Sequence, residues 1–423
     1  MPPPAPRARF AAERGFALDV FLARQPIFDR EQNVFAYELL FRSGLDNACR
    51  TDDLDAAASK VISDSVHLLG LETITGGKKA FVNVTREVLM KEHAALLPPA
   101  HTVVELLETV APEPDVLAAC GRLKSEGYLL ALDDFVDRPE YEALVALADF
   151  VKVDVLATGG DERAAIVRRM APRGIRMLAE KVETREMFEE AVRAGYSHFQ
   201  GYFFARPAIL ATKDIPGYKL HLFGILQEVN RVDLDFPRIE RILKQDAGLC
   251  YKFLRYINSA WFGWRQRIGS IKRALVLLGE SEVRRWVTVI VLTGMAEDKP
   301  HELLVHAATR ARFCELLAPL AGLARRSEEL FLVGMLSLID AVLDRPLRSL
   351  LKDLPISADS IAALLGEPSP IGAVFSCALA YERGDWEEFA VRAEAAGIPE
   401  LRCPDLYLEA LRWGGRCFEV EAA

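Results

Sequence analysis

The sequence predicts an α/β barrel followed by an all-helical domain, and three features of its 423 residues indicate this. Strand-like and helix-like segments alternate from residue 80 to residue 203, which is typical of a parallel sheet. About eight strands are expected, and this number favours a closed TIM-like (β/α)8 barrel over an open sheet. From residue 220 onward, the apolar residues recur at helical spacing almost to the end of the chain.

The first two strands should form an antiparallel pair. Residues 21–28 and 34–41 are strand-like, and the polar residues 29–33 between them are typical of a hairpin turn. The polar stretch 43–55 is expected to be loop, and the spacing of apolar residues predicts a helix over 56–69. The barrel therefore begins with an antiparallel strand.

The alternating part of the chain supplies the remaining strands. The predicted strands are 80–84, 102–107, 128–132, 150–154, 175–180 and 197–203, and the predicted helices are 86–95, 113–126, 139–147, 161–172 and 184–194. No G-x-G-x-x-G sequence follows any of these strands, so a dinucleotide-binding sheet has little support.

Changes in composition divide the chain into four parts: a flexible leader at 1–19, a barrel domain at 20–209, a linker at 210–218 and a helical domain at 219–423. The leader is rich in Pro and Ala and lacks the apolar core of a signal peptide. Within the helical domain, residues 271–278 have the spacing of an amphipathic helix that Gly279 ends. The apolar run 330–343 is expected to form a buried helix.

Composition also excludes several classes of protein. The net charge of −9 gives no bulk attraction for nucleic acid or an anionic membrane. The seven cysteines include no C-x-x-C pair, which favours a reducing cytoplasm over a disulfide framework or a zinc ribbon. No apolar run reaches the roughly 18 residues that a membrane span needs. The aromatic residues Trp261, Phe262 and Trp264 are followed by Arg265 and Arg267, but a core or partner contact is favoured over nucleic-acid binding.

Polar residues interrupt or end the strand-like runs at one βα unit after another. They are Glu38, Asn83, Glu105, Asp133, Asp134, Lys152, Glu180 and Gln200. The ends of parallel barrel strands meet on one face, where barrel enzymes have their active sites. Converging carboxylates repel one another, and oxygen ligands without His or Cys suit hard cations such as Mg²⁺ or Mn²⁺. Two such ions would activate water for attack at phosphorus, so metal-dependent phosphoester hydrolysis is predicted.

Taken singly, some of these residues have simpler interpretations. Lys152 and Asp154 could form an ion pair inside the barrel, Asp133 and Asp134 could cap a helix, and Glu180 with Glu183 could lie in a solvated turn.

Eight motifs in order resemble the EAL-domain family of cyclic-di-GMP phosphodiesterases, over roughly residues 21–207. The motifs are RQPIF at 24–28, YELLFR at 37–42, FVNV at 81–84, VELLE at 104–108, LDDF at 132–135, VKVD at 151–154, AEKVET at 179–184 and FQGYFFARP at 199–207. The resemblance implies hydrolysis of one phosphodiester of cyclic-di-GMP to linear pGpG, with two Mg²⁺ or Mn²⁺ ions.

The resemblance also implies a role for each site residue. The ligands of the first metal ion would be Glu38, Asn83, Glu105 and Asp133, and those of the second would be Asp133, Asp134 and Glu180. Lys152 would orient the attacking water, and Gln200 would hydrogen-bond at the metal–phosphate centre. Gln25 and Arg42 would contact the nucleotide, while Glu108 and Glu183 would support the ligands.

The sequence departs from the family pattern at two places, and the second bears on activity. Leu39 stands in the middle of the Glu-Ala-Leu signature. Residues 136–141 replace a Gly-rich loop that closes on the site in active members, and Pro139 restricts the backbone that Gly would leave free. A second hypothesis therefore stays open, in which the barrel is catalytically silent and serves as a sensor or adaptor that binds cyclic-di-GMP.

The helical half resembles the HDOD family, over roughly residues 215–400. Residues 245–263 and 268–285 carry the resemblance, which implies signal coupling or binding of an unidentified protein partner. The metal-binding His-Asp pair of related hydrolases would fall near Ser337 and Leu338, so no metal and no hydrolysis are expected in this domain. His301 and His306 are expected to be packed or surface residues. Family analogy further suggests a homodimer through the barrel.

Overall fold

The computed structural model describes residues 20–43, 71–205, 216–259, 262 and 266–422. The predicted leader, the helix at 56–69, nearly all of the loop at 43–55 and most of the linker lie outside these residues. Strands and helices in the described ranges form a closed barrel followed by a helical domain, as predicted.

Eight strands close the barrel in sequence order. They are β1 (Val20–Phe28), β2 (Val34–Ser43), β3 (Lys79–Val84), β4 (Thr102–Leu106), β5 (Leu129–Leu132), β6 (Phe150–Asp154), β7 (Arg176–Glu180) and β8 (His198–Gln200). Strand β1 is antiparallel to both β2 and β8, and all other neighbours are parallel. The expected antiparallel first strand is thus confirmed.

Short helices cover the outside of the barrel between the parallel strands. They are Leu71–Thr75, Arg86–Met90, Pro114–Ser125, Glu142–Val145, Gly160–Met170 and Arg185–Ala194, with 3-10 turns at His93–Leu96, Pro99–His101, Pro139–Tyr141, Ala171–Arg173 and Tyr202–Ala205. The predicted helix 86–95 is broken because Glu92 has a left-handed backbone with φ 57°. The last strand is shorter than predicted because Gly201, at φ 140°, turns the chain away from the sheet.

One apolar layer fills the barrel interior near the start of the parallel strands. Its buried members are Ile27, Ala36, Phe81, Val103, Ala131, Phe150 and Leu178. Alternate residues of a strand face the same side, so the residues two positions beyond this layer, toward the carboxyl ends of the parallel strands, also point inward. This layer therefore forms the floor of the space above it.

The helical domain consists of helices throughout its described residues. They are Gly217–Val229, Phe236–Gln245, Ala247–Ile257, Ile271–Met295, His301–Leu317, Ser327–Leu336, Ile339–Leu343, Leu347–Leu351, Ala358–Leu364, Pro370–Arg383, Trp386–Ala396 and Cys403–Ala422. Gly279 interrupts Ile271–Met295 with a φ of 74°, at the position where the sequence predicts a helix end. Within the described parts of the chain, every helix lacks the length or the apolar character that a membrane span requires.

The predicted buried helix at 330–343 is wrong in one respect, since two helices meet there. Ser337 lies between them, and its hydroxyl donates a 2.7 Å hydrogen bond to the carbonyl of Gly334. Such a bond from side chain to backbone competes with the regular helical pattern. Both helices remain buried, as expected.

Candidate active site

Every strand of the barrel brings one polar side chain to the level directly above the apolar floor. Each lies two positions from a floor residue or from His198 in β8, and the set is Gln25, Glu38, Asn83, Glu105, Asp133, Lys152, Glu180 and Gln200. Because alternate residues share a face, the alternation of each strand is enough to turn all eight inward. The structure therefore brings together eight of the twelve site residues that the sequence predicts.

Lys152 is the centre of this polar layer. Its side chain is 1% exposed, and its Nζ lies 2.8 Å from Glu180 Oε1, 2.9 Å from Asp133 Oδ1 and 3.4 Å from Glu38 Oε2. The ammonium group also pairs with Glu105, whose side chain is fully buried. One ammonium thus faces four carboxylates, and the layer has a surplus of negative charge.

Two amide side chains fix the position of Glu38. Gln200 Nε2 donates to Glu38 Oε2 at 2.6 Å and to Gln25 Oε1 at 2.9 Å. Asn83 Nδ2 donates to the other carboxylate oxygen of Glu38 at 3.1 Å. The carboxylate of Glu38 is therefore held in a defined orientation between β1, β3 and β8.

The charge surplus changes the pKa values of the site. Burial, reinforced by neighbouring carboxylates, raises the pKa of Glu105 well above its usual value. Burial likewise raises the pKa of Glu180 to about 8, although Lys152 acts in the opposite direction. For Asp133 the ammonium of Lys152 outweighs burial and lowers the pKa. These shifts indicate that the layer favours the uptake of protons or of a further cation.

Oxygen atoms without partners indicate where a cation would bind. Asn83 Oδ1, Glu105 Oε2, Glu180 Oε2 and Gln200 Oε1 are buried and accept no hydrogen bond. Buried polar atoms are normally paired, and oxygen ligands suit Mg²⁺ or Mn²⁺. The residues therefore fit divalent ions. Among the described residues, however, no group of three or more Asp, Glu, His or Cys side chains is placed so that it could hold a metal ion.

Two simpler interpretations of single residues are wrong. Asp154 does not pair with Lys152, because its carboxylate pairs with Lys181 and accepts hydrogen bonds from the amides of Leu156 and Ala157. Asp133 pairs with Lys152 rather than capping a helix.

Asp134 lies just beyond the polar layer in a left-handed conformation with φ 38°. A non-glycine residue in this region is strained, and such strain is common at functional sites. Burial and the neighbouring Asp133 raise the pKa of Asp134. Its role as a ligand of the second metal ion remains a prediction.

The two residues predicted to support the ligands have different surroundings. Glu108 is exposed, and its backbone carbonyl accepts a 3.3 Å hydrogen bond from the hydroxyl of Tyr141. Glu183 is half-buried directly before Thr184, whose hydroxyl caps the helix Arg185–Ala194. Support of the metal ligands by either carboxylate remains a prediction.

Gly201 is a functional position that the sequence reasoning missed. A Cβ atom at this residue would lie 2.1 Å from the backbone carbonyl oxygen of Val182. The amide of Val182 in turn donates a 3.0 Å hydrogen bond to the carbonyl of Gln200. This close backbone approach fixes Gln200, and the glycine that follows Gln200 in FQG was the signal for it.

Ion pairs on the outside of the barrel hold the loop that departs from the family pattern. Arg169 pairs with both Asp137 and Glu142, and Glu142 also pairs with Arg173 at 2.7 Å. Below the loop is a cavity of about 130 Å³, lined in part by Asp133 and Tyr141. The loop is thus anchored at both of its ends.

In the helical domain, an arginine lies at the position expected for a His-Asp metal pair. Arg310 donates to Ser337 Oγ at 2.8 Å and to Glu382 Oε2 at 2.8 Å. Burial and Arg310 together lower the pKa of the adjacent His306 well below its usual value. Arg310 thus neutralises Glu382 beside Ser337, and the absence of a metal ion from this domain stays a prediction.

The barrel and its polar layer define the first part of the chain as an EAL domain. Residues 17–207 match the family description "EAL domain", and residues 216–343 match the description "HDOD domain". The chain belongs to the family of proteins that join these two domains.

Two relatives match almost the whole chain. "Uncharacterized protein YuxH" from Bacillus subtilis (strain 168) is 33% identical over 402 residues, which is 93% of this chain and 98% of the relative. "Cyclic di-GMP phosphodiesterase CdgJ" from Vibrio cholerae is 34% identical over 396 residues, which is 93% of this chain and 92% of the relative.

Solved structures of EAL proteins match the barrel more distantly. The EAL domain protein from Listeria monocytogenes EGD-e is 20% identical and covers 44% of this chain and 87% of its own, with a TM-score of 0.35. The PaMucR phosphodiesterase in complex with c-di-GMP is 23% identical, and the match covers 45% of this chain and 97% of the PaMucR chain, with a TM-score of 0.39.

Proposed function

We propose that the protein is a cyclic-di-GMP phosphodiesterase that forms linear pGpG, and that its helical domain couples this activity to a protein partner. One observation carries the proposal, namely the buried ring of oxygen ligands whose surplus charge a single lysine does not neutralise. A relative that is 34% identical over 93% of the chain is named a phosphodiesterase for this nucleotide. The net charge of −9 leaves little attraction for nucleic acid, and seven cysteines without a C-x-x-C pair favour a location in the reducing cytoplasm.

The residues of the chain have separate tasks in this reaction. Glu38, Asn83, Glu105, Asp133, Asp134 and Glu180 would hold two Mg²⁺ or Mn²⁺ ions. Such ions, when bound, neutralise the phosphate charge and make bound water more acidic. Lys152 donates hydrogen bonds into the same space and can orient the attacking water. Gln200 positions Glu38, and the guanidinium of Arg42 would bind a phosphate of the nucleotide.

Chromatography of the products tests this function. Purified protein is incubated with cyclic-di-GMP and either Mg²⁺ or Mn²⁺, beside Glu38→Ala and the exposed control Glu189→Ala. Glu189 is exposed and forms a surface pair with Arg185, so its replacement should leave hydrolysis unchanged. Formation of pGpG that Glu38→Ala abolishes supports the proposal. Unchanged hydrolysis by Glu38→Ala would contradict the assigned mechanism.

A catalytically silent receptor for cyclic-di-GMP is the second candidate. The loop at residues 136–141 favours it, because ion pairs to Arg169 anchor a segment that active relatives are expected to move. Tight binding of the nucleotide by the wild-type protein, with no product in either metal, would favour this receptor over the enzyme.

A further inference from the structure

The inward face of the β1–β2 hairpin continues above the polar layer. In β1 the alternation that turns Gln25 inward also turns Phe21 inward, and in β2 the alternation of Glu38 includes Leu40 and Arg42. The register confirms this placement, because Gln25 pairs with Glu38 and Phe21 pairs with Arg42. This surface forms one wall of the barrel mouth, through which a nucleotide would reach the polar layer.

The helical domain packs directly on this wall. Phe21 is 1% exposed, and its ring centroid lies 5.9 Å from both Trp386 and Phe389 and 6.4 Å from Tyr381. Phe389 and Tyr381 are fully buried, so the contact is a continuous apolar cluster between the two domains. The end of the helix Pro370–Arg383 and the start of the helix Trp386–Ala396 therefore lie against the barrel mouth.

Residues 383–386 span the junction of these two helices, and we call them the covering segment. The carbonyl of Arg383 accepts a 3.2 Å hydrogen bond from Gln25 Nε2, and the carbonyl of Trp386 accepts a 2.9 Å bond from Arg42 Nη1. Between them, Gly384 has φ 67°, and a Cβ atom there would lie 2.7 Å from Leu40 Cδ1. The backbone of the covering segment thus lies in close contact with the wall.

We propose that the covering segment is an intramolecular inhibitor, which occupies part of the nucleotide site and must leave before cyclic-di-GMP can bind. This inference rests on the proposed function, because Gln25 and Arg42 are the two side chains assigned to the nucleotide. Both donate to backbone carbonyl oxygens of the helical domain, which take the place of nucleotide oxygens. A phosphate carries full charge and binds arginine more strongly than a carbonyl does, so the nucleotide can displace the segment.

Mutual exclusion links the two domains energetically. If only the uncovered form binds nucleotide, the apparent affinity falls in proportion to the fraction of molecules that are uncovered. By linkage, bound nucleotide must release the covering segment to the same extent that the segment opposes binding. Cyclic-di-GMP would therefore change the surface that the helical domain presents to its partner.

Two substitutions outside the catalytic residues loosen the segment by different routes. Trp386→Ala removes an aromatic contact with Phe21 but keeps the backbone. Gly384→Ala adds a methyl group against Leu40 and disfavours the positive φ. Val391→Ala is the matched control, because Val391 lies on the same helix as Trp386 and is 60% exposed.

Affinity for cyclic-di-GMP is measured by titration calorimetry with Ca²⁺, and hydrolysis is measured with Mn²⁺ in the full chain. We expect the Kd and the KM to fall at least about tenfold in both variants, with kcat and the Val391→Ala control unchanged. Circular dichroism establishes that each variant is folded.

The other outcomes separate this inference from the proposed function. Equal affinity in the wild-type protein and both folded variants would overturn the inhibition and leave the phosphodiesterase intact. Weaker binding in both variants would mean that the segment completes the nucleotide site, which also overturns inhibition. No binding by any of the proteins would overturn both the function and the inhibition.

Discussion

Replacement of Lys152 by methionine tests how the polar layer is held together. Lys152→Met keeps the length of the side chain but removes the ammonium that pairs with four buried or nearly buried carboxylates. Removal of one partner from a buried ion pair costs about 3–5 kcal/mol, because the remaining charge has lost its compensation. We therefore expect the free energy of unfolding to fall by about this amount when metal is removed with EDTA.

Divalent ions should reduce that loss, since they supply positive charge to the same carboxylates. The measurement is urea unfolding followed by circular dichroism, in EDTA and in Mn²⁺. The control Lys91→Met removes an exposed helical pair with Glu87 and should change the free energy of unfolding by no more than about 0.5 kcal/mol. A loss for Lys152→Met that is equally large in Mn²⁺ and EDTA, or no larger than that of the control, would refute the reasoning.

Three further substitutions test other contacts. Gly201→Ala places a methyl group against the backbone carbonyl of Val182. It should lower the free energy of unfolding by about 1–3 kcal/mol and impair hydrolysis. An unchanged midpoint of urea unfolding would contradict the close approach of the two backbones. Tyr37→Phe removes the 2.8 Å hydrogen bond from the barrel to the buried Glu302 of the helical domain. The free energy of unfolding, measured with urea, should fall by about 1–3 kcal/mol. His306 has a lowered pKa in the folded protein, so its stabilising contribution is complete above its ordinary pKa of 6.5 and is lost as pH falls below that value. When the pH falls from 7.5 to 5.5, the free energy of unfolding of the wild-type protein should therefore decrease by about 1.4 kcal/mol more than that of His306→Gln. Equal decreases in the two proteins would show that His306 does not contribute to the pH dependence of stability.

Much of the barrel was predictable because its determinants are local. The alternation of residues in each strand fixed which side chains face inward, and it placed Glu105 and Lys152 on one surface before any contact was known. The strand and helix boundaries were less predictable. Glu92 ends a helix and Gly201 ends a strand through backbone angles that the apolar pattern does not encode. Ser337 likewise lies between two helices in a stretch that is otherwise mostly apolar.

The sequence by itself therefore determined the class of fold, the order of the strands and the residues that meet in the barrel. The state of the site was decided only by the tertiary structure. Lys152 organises the carboxylates, because burial brings four of them within reach of one ammonium. The contact between Arg42 and Trp386 joins residues 344 positions apart. The local pattern of residues does not predict a contact between such distant residues, because the contact forms only when the surfaces of the two domains pack together.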